Sequence, residues 1–567
     1  MTAHPDLVIL GGEVLVLDQA FSVVEALAVT DGMISALGDD KTIRSLAGRD
    51  TKVVELSGGS VLPGINDSHV HACAFGLSRP PLCLDLTFPA VSSISDVVRA
   101  VSSAASTSQA GTWIQGTGWD TGYLDECRAD PERQPHRSDL DGVAPNHPVF
   151  LQDFSGHVIW VNSCALALAG IDSTTAPPDG GVITKTQDGE PTGLFAHGGQ
   201  DLVARLLPVL DAKRREDGIL SAVSILNEQG VTSFTEPGLG PGGTGAFGGA
   251  MSTESLDAYV KLVKDNRLSA RVNVLWLPSG MSNASAEDFR NSLGLIPDLS
   301  QLDARRLSLI GVKVFADGTP PSKTSWMYED FEGGGRGSLC VHGSTDAARV
   351  EELHEIISLA HQAGYQVGVH VTGDRAIDNV VEAFAEAARQ HPRPDPRHYV
   401  IHGDFVSTRS LETMAQYGVS VNMNPAIKWS AGDLMAPIIG EGRSNYQWPA
   451  RSAIDAGVRV MSSSDAPVTY PNWRQGVASL MLRESRSSGR PMGPEQCIGL
   501  EDALRAYTTN AAWQDFSESW KGSLEVGMIA DICVLNGALL HTEPHEIPNL
   551  DVILTVVEGK FVYEKLP

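Results

Sequence analysis

Residues 346–371 read DAARVEELHEIISLAHQAGYQVGVHV, and they contain both parts of a helix–strand unit. The first part, DAARVEELHEIISLAHQAG, is helix-like and ends in Gly364, as a helix that leads into a strand prefers. The second part, YQVGVHV, is a short apolar run typical of a buried strand. The stretch therefore predicts one helix followed directly by one strand.

The same alternation recurs on both sides of this stretch. Helix-like and strand-like runs follow one another in residues 212–237, 255–277, 376–405, 409–425 and 452–468. Adding VLPGINDSH (residues 61–69) as the first strand and LSLIGVKVFADG (residues 307–318) as the fourth gives eight predicted strands. A repeated βα series of this length predicts the α/β class and a (β/α)8, TIM-like barrel.

Two regions do not fit the series. Residues 1–60 and 520–567 contain short β-like runs broken by turn residues, and they predict one all-β domain built from both chain ends around a barrel at 61–519. Residues 72–210 are rich in Gly, Pro, Ser and Asp and are too long for a simple βα connection. We expect them to form an inserted lid or substrate subdomain over the C-terminal mouth of the barrel, where active sites of this fold lie.

Composition limits the classes of partner. The 567 residues are 42% hydrophobic and 20% charged, an ordinary globular composition, and the formal charge of -27 argues against nucleic acid and anionic membranes. A neutral or cationic small molecule is the expected partner. Seven scattered cysteines without a CxxC pair suggest a reducing, cytoplasmic setting, and MTAHPDLVILGGEV resembles neither a signal peptide nor a membrane span.

Ligand-type residues recur at the C-terminal ends of the predicted strands. In an extended chain side chains alternate between faces, so His69 and His71 of VLPGINDSHVH would project together toward one ion. Lys313 lies inside an apolar strand, where an unpaired ammonium is costly. Three more candidates lie near the ends of strands five, six and eight: His370, His402 and Asp465. Parallel strands bring these ends to one mouth, so the six side chains are predicted to converge.

Each of these residues also has an ordinary explanation. A lone histidine at a strand end is more often a hydrogen-bonded structural residue, Asp465 before Ala-Pro could cap a turn, and Lys313 could belong to an ion pair. Six such residues on five strands are hard to attribute to coincidence. The pattern therefore favours a metal site.

The chain resembles the amidohydrolase superfamily, and within it the YtcJ-like branch that includes N-substituted formamide deformylases. The resemblance extends over nearly the whole sequence and rests on these motifs: VLPGINDSHVH, WIQGTGWD, DFSGHVIWVNS, GVKVFADGT, HVTGDRAID, SSDAPV, ALRAYTTNAAW and KGSLEVGMIADICVL. It implies a distorted barrel, a composite β-sandwich from both termini and a divalent metal centre at the barrel mouth. Because the motifs cover nearly the whole sequence, they support the family assignment much better than the HxH motif alone.

The resemblance also implies roles for particular residues. His69, His71 and Asp465 would bind the more buried of two ions, His370 and His402 would bind the other, and a carbamylated Lys313 would bridge them. Zinc is the favoured metal, because imidazole and carboxylate ligands suit it. Asp465 is also the expected general base. Candidates for substrate binding are Trp119, Asp120, Asp153, His157 and Trp326.

One position departs from the family pattern. Many relatives carry Glu beside the histidine of strand six, whereas Ile401 precedes His402 here. This weakens the transfer of specificity from any one relative. We expect hydrolysis of a neutral amide-type C–N bond, with N-substituted formamides as one substrate class. The alternatives are a metal-dependent deaminase of a nitrogen heterocycle and, less favoured, a non-catalytic homologue; a homodimer is an open option.

Overall fold

The computed structural model describes residues 4–566 apart from 131, 155–157, 179, 180 and 245. The chain divides into two compact units. We call residues 1–73 with 223–567 the barrel unit, and residues 74–222 the insert unit. Each unit is described by itself.

The barrel unit begins with short strands and one helix. They are β1 (Leu7–Leu10), β2 (Glu13–Leu15), β3 (Val23–Val24), β4 (Ala26–Thr30), β5 (Met33–Gly38), α1 (Asp40–Leu46), β6 (Lys52–Glu55), β7 (Ser60–Pro63) and β8 (Ile65–Asp67).

The insert unit follows after α2 (Ala72–Leu77), which crosses its first boundary. Its elements are β9 (Leu84–Asp85), α3 (Ile94–Thr107), β10 (Ile114–Trp119), α4 (Asp125–Ala129), α5 (Arg137–Asp141), β11 (Val149–Asp153), β12 (Val158–Val161), α6 (Ser163–Ala169), β13 (Gly181–Lys185), β14 (Pro191–His197) and α7 (Asp201–Ala204). Helix α8 (Ala212–Glu228) leads back into the barrel unit.

Helices and strands alternate through the rest of the barrel unit. They are β15 (Val231–Leu239), α9 (Thr253–Lys264), β16 (Arg271–Trp276), α10 (Ala286–Leu293), β17 (Leu307–Phe315), α11 (Asp346–Gln362), β18 (Gln366–Val371), α12 (Asp374–Gln390), β19 (Tyr399–His402), α13 (Thr408–Tyr417), β20 (Ser420–Met423), α14 (Pro425–Ile439), α15 (Glu441–Tyr446), α16 (Ala450–Asp455), β21 (Val460–Ser462), α17 (Trp473–Leu482), α18 (Leu500–Ala506), α19 (Thr509–Gln514), β22 (Ile532–Leu535), β23 (Val552–Val557) and β24 (Lys560–Glu564). Short 3-10 helices lie at Gly198–Gln200, Pro241–Gly243, Ala246–Gly249, Pro494–Gln496, Leu539–His541 and Ile547–Asn549.

Eight parallel strands form the barrel sheet in the order β8, β15, β16, β17, β18, β19, β20, β21. Each strand pairs with the next one in this order, so the predicted α/β, TIM-like fold is confirmed. The two outer strands meet beyond their ends. Ser68 Oγ donates to the Ser462 carbonyl at 2.9 Å, and the Asp465 N–H donates to the His69 carbonyl at 3.0 Å.

The first predicted strand is in fact two strands. β7 pairs with β2 and β22 in a terminal sheet, whereas β8 pairs with β15 in the barrel. Gly64 separates them because a Cβ there would lie 2.1 Å from Thr232 Oγ1, and its N–H donates to the Asp531 carbonyl. The expectation of one continuous strand over residues 61–69 was therefore wrong, since the chain changes sheets at this glycine.

Strands from both chain ends form the remaining sheets of the barrel unit. One sheet has the order β24-β23-β22-β7-β2-β3 and the other has the order β5-β4-β1-β6. A shared apolar core joins them, with buried residues such as Leu7, Leu27, Val61, Ile532 and Leu554. Both sheets bury one face in this core, which is a β-sandwich arrangement.

The insert unit has its own mixed sheet in the order β13-β14-β12-β11-β10-β9. Two apolar clusters cover this sheet, one around Trp119, Leu151 and Trp160 and the other around Phe150 and Phe195. The unit therefore has a packed core of its own.

The longest helices, α8, α11 and α12, each have 17 residues. Among the described parts of the chain, no helix combines the length and apolar character needed to cross a bilayer.

Candidate metal centre

The six predicted ligands all lie at the C-terminal end of the barrel strands. Lys313 and His370 are within β17 and β18, and His402 is the last residue of β19. The others follow their strands: His69 and His71 come after β8, and Asp465 comes after β21. Parallel strands with a common direction explain why residues so far apart in sequence meet here.

His69, His402 and Asp465 form the tightest group. One potential ligand atom from each lies within 4.8 Å of the other two. His69 Nε2 is 3.3 Å from Asp465 Oδ1, and His71 Nε2 is 3.7 Å from the same oxygen. His69, His71 and His402 therefore all lie close to Asp465.

His370 joins this group through His402. The two ring centroids are 4.5 Å apart, and the His69 and His402 centroids are 5.6 Å apart. His402 is therefore in ring contact with both His69 and His370. The His69 and His71 centroids are 5.2 Å apart, so the four imidazoles form one cluster.

Lys313 is almost completely buried, with 1% of its surface exposed. Its Nζ lies 4.8 Å from the centroid of the Phe315 ring. Burial lowers the pKa of this amine to about 7, and the Asp465 carboxylate opposes the shift. Burial therefore favours the unprotonated amine.

The site suits a divalent cation. His69 Nδ1 and His71 Nδ1 are buried and have no hydrogen-bond partner among the residues that the structure describes. Burial lowers the pKa of both rings well below the usual value, so their nitrogens keep lone pairs. Neutral imidazoles and a carboxylate are the ligands that zinc and similar ions prefer. The Nε2 atoms of His69 and His71 lie 3.3 and 3.7 Å from Asp465 Oδ1, so these three side chains have donor atoms close enough to hold one divalent ion.

Hydrogen bonds fix the orientation of two rings. His402 Nδ1 lies 2.6 Å from Asn424 Oδ1, which can only accept, so this nitrogen carries the proton and Nε2 keeps its lone pair. His370 Nε2 lies 3.1 Å from the Gly318 carbonyl, so Nδ1 of that ring keeps its lone pair. Outer hydrogen bonds of this kind orient the imidazoles that bind metals.

Two of the predicted ligands have unusual backbone conformations. His402 has φ 71° and Asp465 has φ 55°, both in the left-handed region that side chains other than glycine rarely adopt. Such strain costs on the order of 1–3 kcal/mol and is concentrated at functional sites. Local sequence patterns do not reveal it, because neither residue is a glycine or an asparagine.

Glu236 of β15 was not identified from the sequence. Its buried carboxylate accepts from the Tyr259 hydroxyl and from the Ala72 N–H, both at 2.9 Å, and its Oε1 lies 3.7 Å from His71 Nδ1. Burial raises the pKa of this carboxyl to about 8. The available signal was an acidic residue just before Pro237 near the end of an apolar strand.

Ile401 occupies an apolar layer inside the barrel. It is wholly buried and packs with Leu275, Tyr399 and Met461. Ile401 therefore contributes to the barrel core.

The predicted substrate residues of the insert unit have local partners. The buried Trp119 indole N–H donates to the Leu151 carbonyl at 3.0 Å. Asp120 Oδ1 accepts from the Gly122 N–H at 2.7 Å, and Asp153 Oδ1 accepts from the Val158 N–H at 2.9 Å. His157 lies outside the described residues. Within this unit, the three described residues support the packing and turns of the insert.

Trp326 belongs to the barrel unit and is buried. The Arg375 guanidinium lies over the Trp326 ring at 4.1 Å, and the Trp326 backbone N–H donates to Asp317 Oδ2 at 2.8 Å. Asp317 also accepts from the Thr372 and Gly373 N–H groups, both at 2.9 Å. These bonds join the segments after β17 and β18.

Residues 52–563 match the model of the amidohydrolase family. The chain belongs to this family. Its members hydrolyse carbon–nitrogen bonds other than peptide bonds, and the group His69, His402 and Asp465 of this amidohydrolase could hold a divalent metal.

Curated relatives align with almost the whole amidohydrolase chain. The N-substituted formamide deformylase of Arthrobacter pascens is 27% identical, over 100% of this chain and 99% of its own. The putative amidohydrolase YtcJ of Bacillus subtilis (strain 168) is 26% identical, over 95% of this chain and 96% of its own. The resemblance to the YtcJ-like branch and its formamide deformylases is thus confirmed.

The fold also matches solved structures. An uncharacterized metal-dependent hydrolase from Pyrococcus furiosus superposes with a TM-score of 0.70 at 22% identity, over 95% of this chain and 99% of that one. At this identity the likeness shows the shared fold.

Proposed function

We propose that the protein hydrolyses a neutral, amide-type C–N bond at a centre of two metal ions. The observation that carries the proposal is the convergence of four imidazoles, one lysine and one aspartate at the end of the barrel where this fold places its chemistry. These six side chains offer enough ligands for two ions.

The proposal assigns the residues to two ligand sets. His69, His71 and Asp465 would hold one ion, and His370 and His402 would hold the other. Zinc fits both sets, because neutral imidazole nitrogens and carboxylate oxygens are its usual ligands in hydrolases. The fixed tautomers of His370 and His402 each leave one lone pair available.

Lys313 would complete the centre as a carbamate. Its unprotonated Nζ adds to the carbon of CO₂ and loses one proton, which produces a carbamate anion with two oxygen donors. Burial with a pKa of about 7 makes the unprotonated amine available. The change replaces a buried ammonium by an anion that can bridge two cations.

Asp465 would move the proton during hydrolysis. When bound, divalent ions make water more acidic and polarise a substrate carbonyl. The Asp465 carboxylate accepts a proton from the attacking water and delivers it to the leaving nitrogen, so the products are a carboxylic acid and an amine. Its buried position beside His69 and His71 holds it in place for both transfers.

N-substituted formamides are the leading substrate class. The formamide deformylase of Arthrobacter pascens aligns with this chain from end to end, which supports the class. We expect a small-molecule substrate, a cytoplasmic location and no nucleic-acid or membrane partner, because the charge of -27 repels polyanions. A homodimer remains part of this proposal.

The experiment combines metal analysis with product analysis. Elemental analysis of protein purified without chelators should give close to two divalent ions per chain. N-benzylformamide should then yield formate and benzylamine in equal amounts. Activity without any transition metal would refute the metal centre.

The other functions give different results in the same assay. Ammonia released from a heterocyclic amine, with formamides untouched, would identify a deaminase. A chain that binds no metal and acts on neither compound would match a non-catalytic homologue.

A further inference from the structure

Phe247 is an exposed aromatic residue beside the predicted metal ligands. Its ring centroid lies 5.1 Å from that of His71, and 47% of the residue remains exposed. Its backbone has φ 47°, in the left-handed region that bulky residues avoid. A phenylalanine that is both strained and exposed next to a ligand histidine calls for an explanation in terms of function.

The segment that carries Phe247 is held firmly between β15 and α9. The Gly240 N–H donates to the Met251 carbonyl at 3.0 Å, and the Gly242 N–H donates to the Leu277 carbonyl at 3.1 Å. The Phe247 carbonyl accepts from the Ala250 N–H at 3.2 Å. These bonds connect the residues on either side of Phe247 to β15, β16 and one another.

An apolar cluster supports this segment from below. Met251, Leu277 and Phe315 are buried together, with Ala246 packed against them. A Cβ placed on Gly238 would lie 3.0 Å from Met251 Cε and 3.6 Å from both Leu277 Cδ2 and Lys313 Cγ. The cluster thus adjoins Lys313, and Phe247 extends its apolar character outward to where a substrate can reach it.

We infer that Phe247 determines substrate specificity by packing against a flat, apolar substituent, such as an aryl group, next to the scissile bond. This inference rests on the proposed function, since it assumes that the bond is cleaved at the ligands around His71. When an apolar substituent of the substrate packs against the Phe247 ring, both remove apolar surface from water. Two aromatic rings in contact add a further preference over an aliphatic group.

The test compares two formamides of different size. kcat/KM is measured for N-benzylformamide and N-methylformamide with wild type, Phe247→Leu and Phe247→Ala. The ratio of the two constants should fall about 10-fold in Phe247→Ala and by a smaller factor in Phe247→Leu, as for contacts in apolar pockets. Alanine and phenylalanine meet the same backbone strain at φ 47°, so relief of strain cannot explain the change.

Phe516 provides a matched control. It is 43% exposed and has φ 59°, but it follows α19 and packs against Arg397, which precedes β19 at the opposite end of the barrel. Phe516→Ala should leave the ratio of the two constants unchanged. Metal content is measured for every variant.

Two results would overturn the inference. One is a ratio in Phe247→Ala within twofold of wild type. The other is a loss of bound metal in this variant without a change in the ratio, which would make Phe247 a support for His71.

Failure of the proposed function gives a separate result. If wild type cleaves neither formamide, the formamide proposal fails, and dissociation constants of the two uncleaved compounds are compared instead by calorimetry. A preference for the benzyl compound that disappears in Phe247→Ala then supports the inference, whereas equal binding by both proteins contradicts it.

Discussion

At the N-terminal end of the barrel strands, Asp515 accepts hydrogen bonds from Asn66, Asn273 and Lys521, at 2.9, 2.6 and 2.8 Å. At the C-terminal end, His69 and His71 each keep a buried nitrogen with no partner in the described part of the chain. Both ends contain buried polar side chains from the same strands. They differ in which ionisable groups have a partner, because the carboxylate at the N-terminal end is paired whereas two imidazoles at the C-terminal end each keep a nitrogen that has no partner among the described residues.

Ion pairs complete the N-terminal end. Arg271, the first residue of β16, lies 2.7 Å from Asp531, and both side chains are buried. A buried charge with its partner in place stabilises the fold but has little left to offer a ligand. The lesson is that imidazoles with an unpartnered nitrogen, more than buried charge as such, distinguish the C-terminal end, because oxygens without a partner in the described structure, such as Gln366 Oε1 and Ser420 Oγ, occur at the N-terminal end as well.

The same substitution at the two ends should separate activity from stability. Asp465→Asn should lower kcat by about 10²- to 10⁴-fold, because an amide can still offer an oxygen to a metal but cannot accept a proton. The loss should exceed what its measured metal content explains. Turnover at the wild-type rate would refute the role of Asp465.

Asp515→Asn is the matched change at the other end. It leaves the Lys521 ammonium buried beside an amide, so we expect a loss of about 3–5 kcal/mol in stability. The kcat per folded molecule should remain close to that of wild type. Urea unfolding and active-site titration measure the two quantities.

Lys313→Ala should weaken metal binding at the C-terminal end. We expect a loss in affinity beyond the roughly 10- to 100-fold that outer hydrogen-bond partners provide, because a direct ligand disappears. Short carboxylic acids should partly restore both metal and activity by replacing the carbamate. Elemental analysis after dialysis, with and without acetate, measures this.

A crystal structure provides the decisive control for Lys313. Density for an unmodified amine in a fully loaded, active enzyme would contradict the carbamate. Mass spectrometry of the denatured chain is not suitable, because carbamates are lost on unfolding.

Glu236→Gln should have a smaller effect at the same end. The carboxylate lies 3.7 Å from His71 Nδ1, and its loss should reduce metal affinity about 10- to 100-fold, as for other partners of ligand histidines. Chelator competition measures the affinity. Tyr259→Phe removes one hydrogen bond to the same carboxyl group but keeps the group itself, so it should change the affinity less. Equal affinities in Glu236→Gln and wild type would show that Glu236 is structural.

Two histidines at the N-terminal end extend the comparison to pH. The Val367 N–H donates to His398 Nδ1 at 3.0 Å, His398 Nε2 lies 2.8 Å from His361 Nδ1, and His361 Nε2 lies 2.7 Å from the His391 carbonyl. When both rings are neutral, His398 Nε2 and His361 Nε2 carry the protons, and every hydrogen bond in this series has one donor and one acceptor. Burial lowers the pKa of His361 and His398, with a contribution from Arg393.

Acid should therefore destabilise the fold through these rings. Because their pKa values in the folded state lie below the unfolded value of about 6.5, the stabilisation is present above that pH and is lost as the pH falls. Each ring can contribute about 1.4 kcal/mol per pH unit. The urea midpoint should fall less between pH 7.5 and 5.5 in His398→Asn than in wild type. The exposed His545→Asn should behave as wild type, and identical slopes in all three proteins would contradict this assignment.

The sequence was sufficient to predict the barrel and its order of strands. Helices that end in glycine before short apolar strands, as at Gly364, leave few alternatives to a βα series. The convergence of His370, His402 and Asp465 followed from this order alone, since parallel strands have a common end. Their proposed roles as ligands stay predictions.

Other features depend on contacts that no local pattern contains. At the change of sheet, Gly64 lies too close to Thr232 to carry a side chain, and Thr232 lies far along the chain. Glu236 is notable only because Tyr259 and His71 surround it. The left-handed backbone of Asp465 likewise needs the surrounding fold to hold it.

The terminal sandwich has a consequence for synthesis on the ribosome. Ser60 Oγ at the start of β7 donates to the Gly537 carbonyl, 477 positions later, and β22 pairs along the edge of β7. At about 5–20 residues per second, the partner of this edge emerges roughly half a minute or more after β7. During that time β7 presents an unpaired apolar edge to the solvent. The nascent chain should therefore depend on holding chaperones for longer than a protein of similar size whose first strands pair with their neighbours.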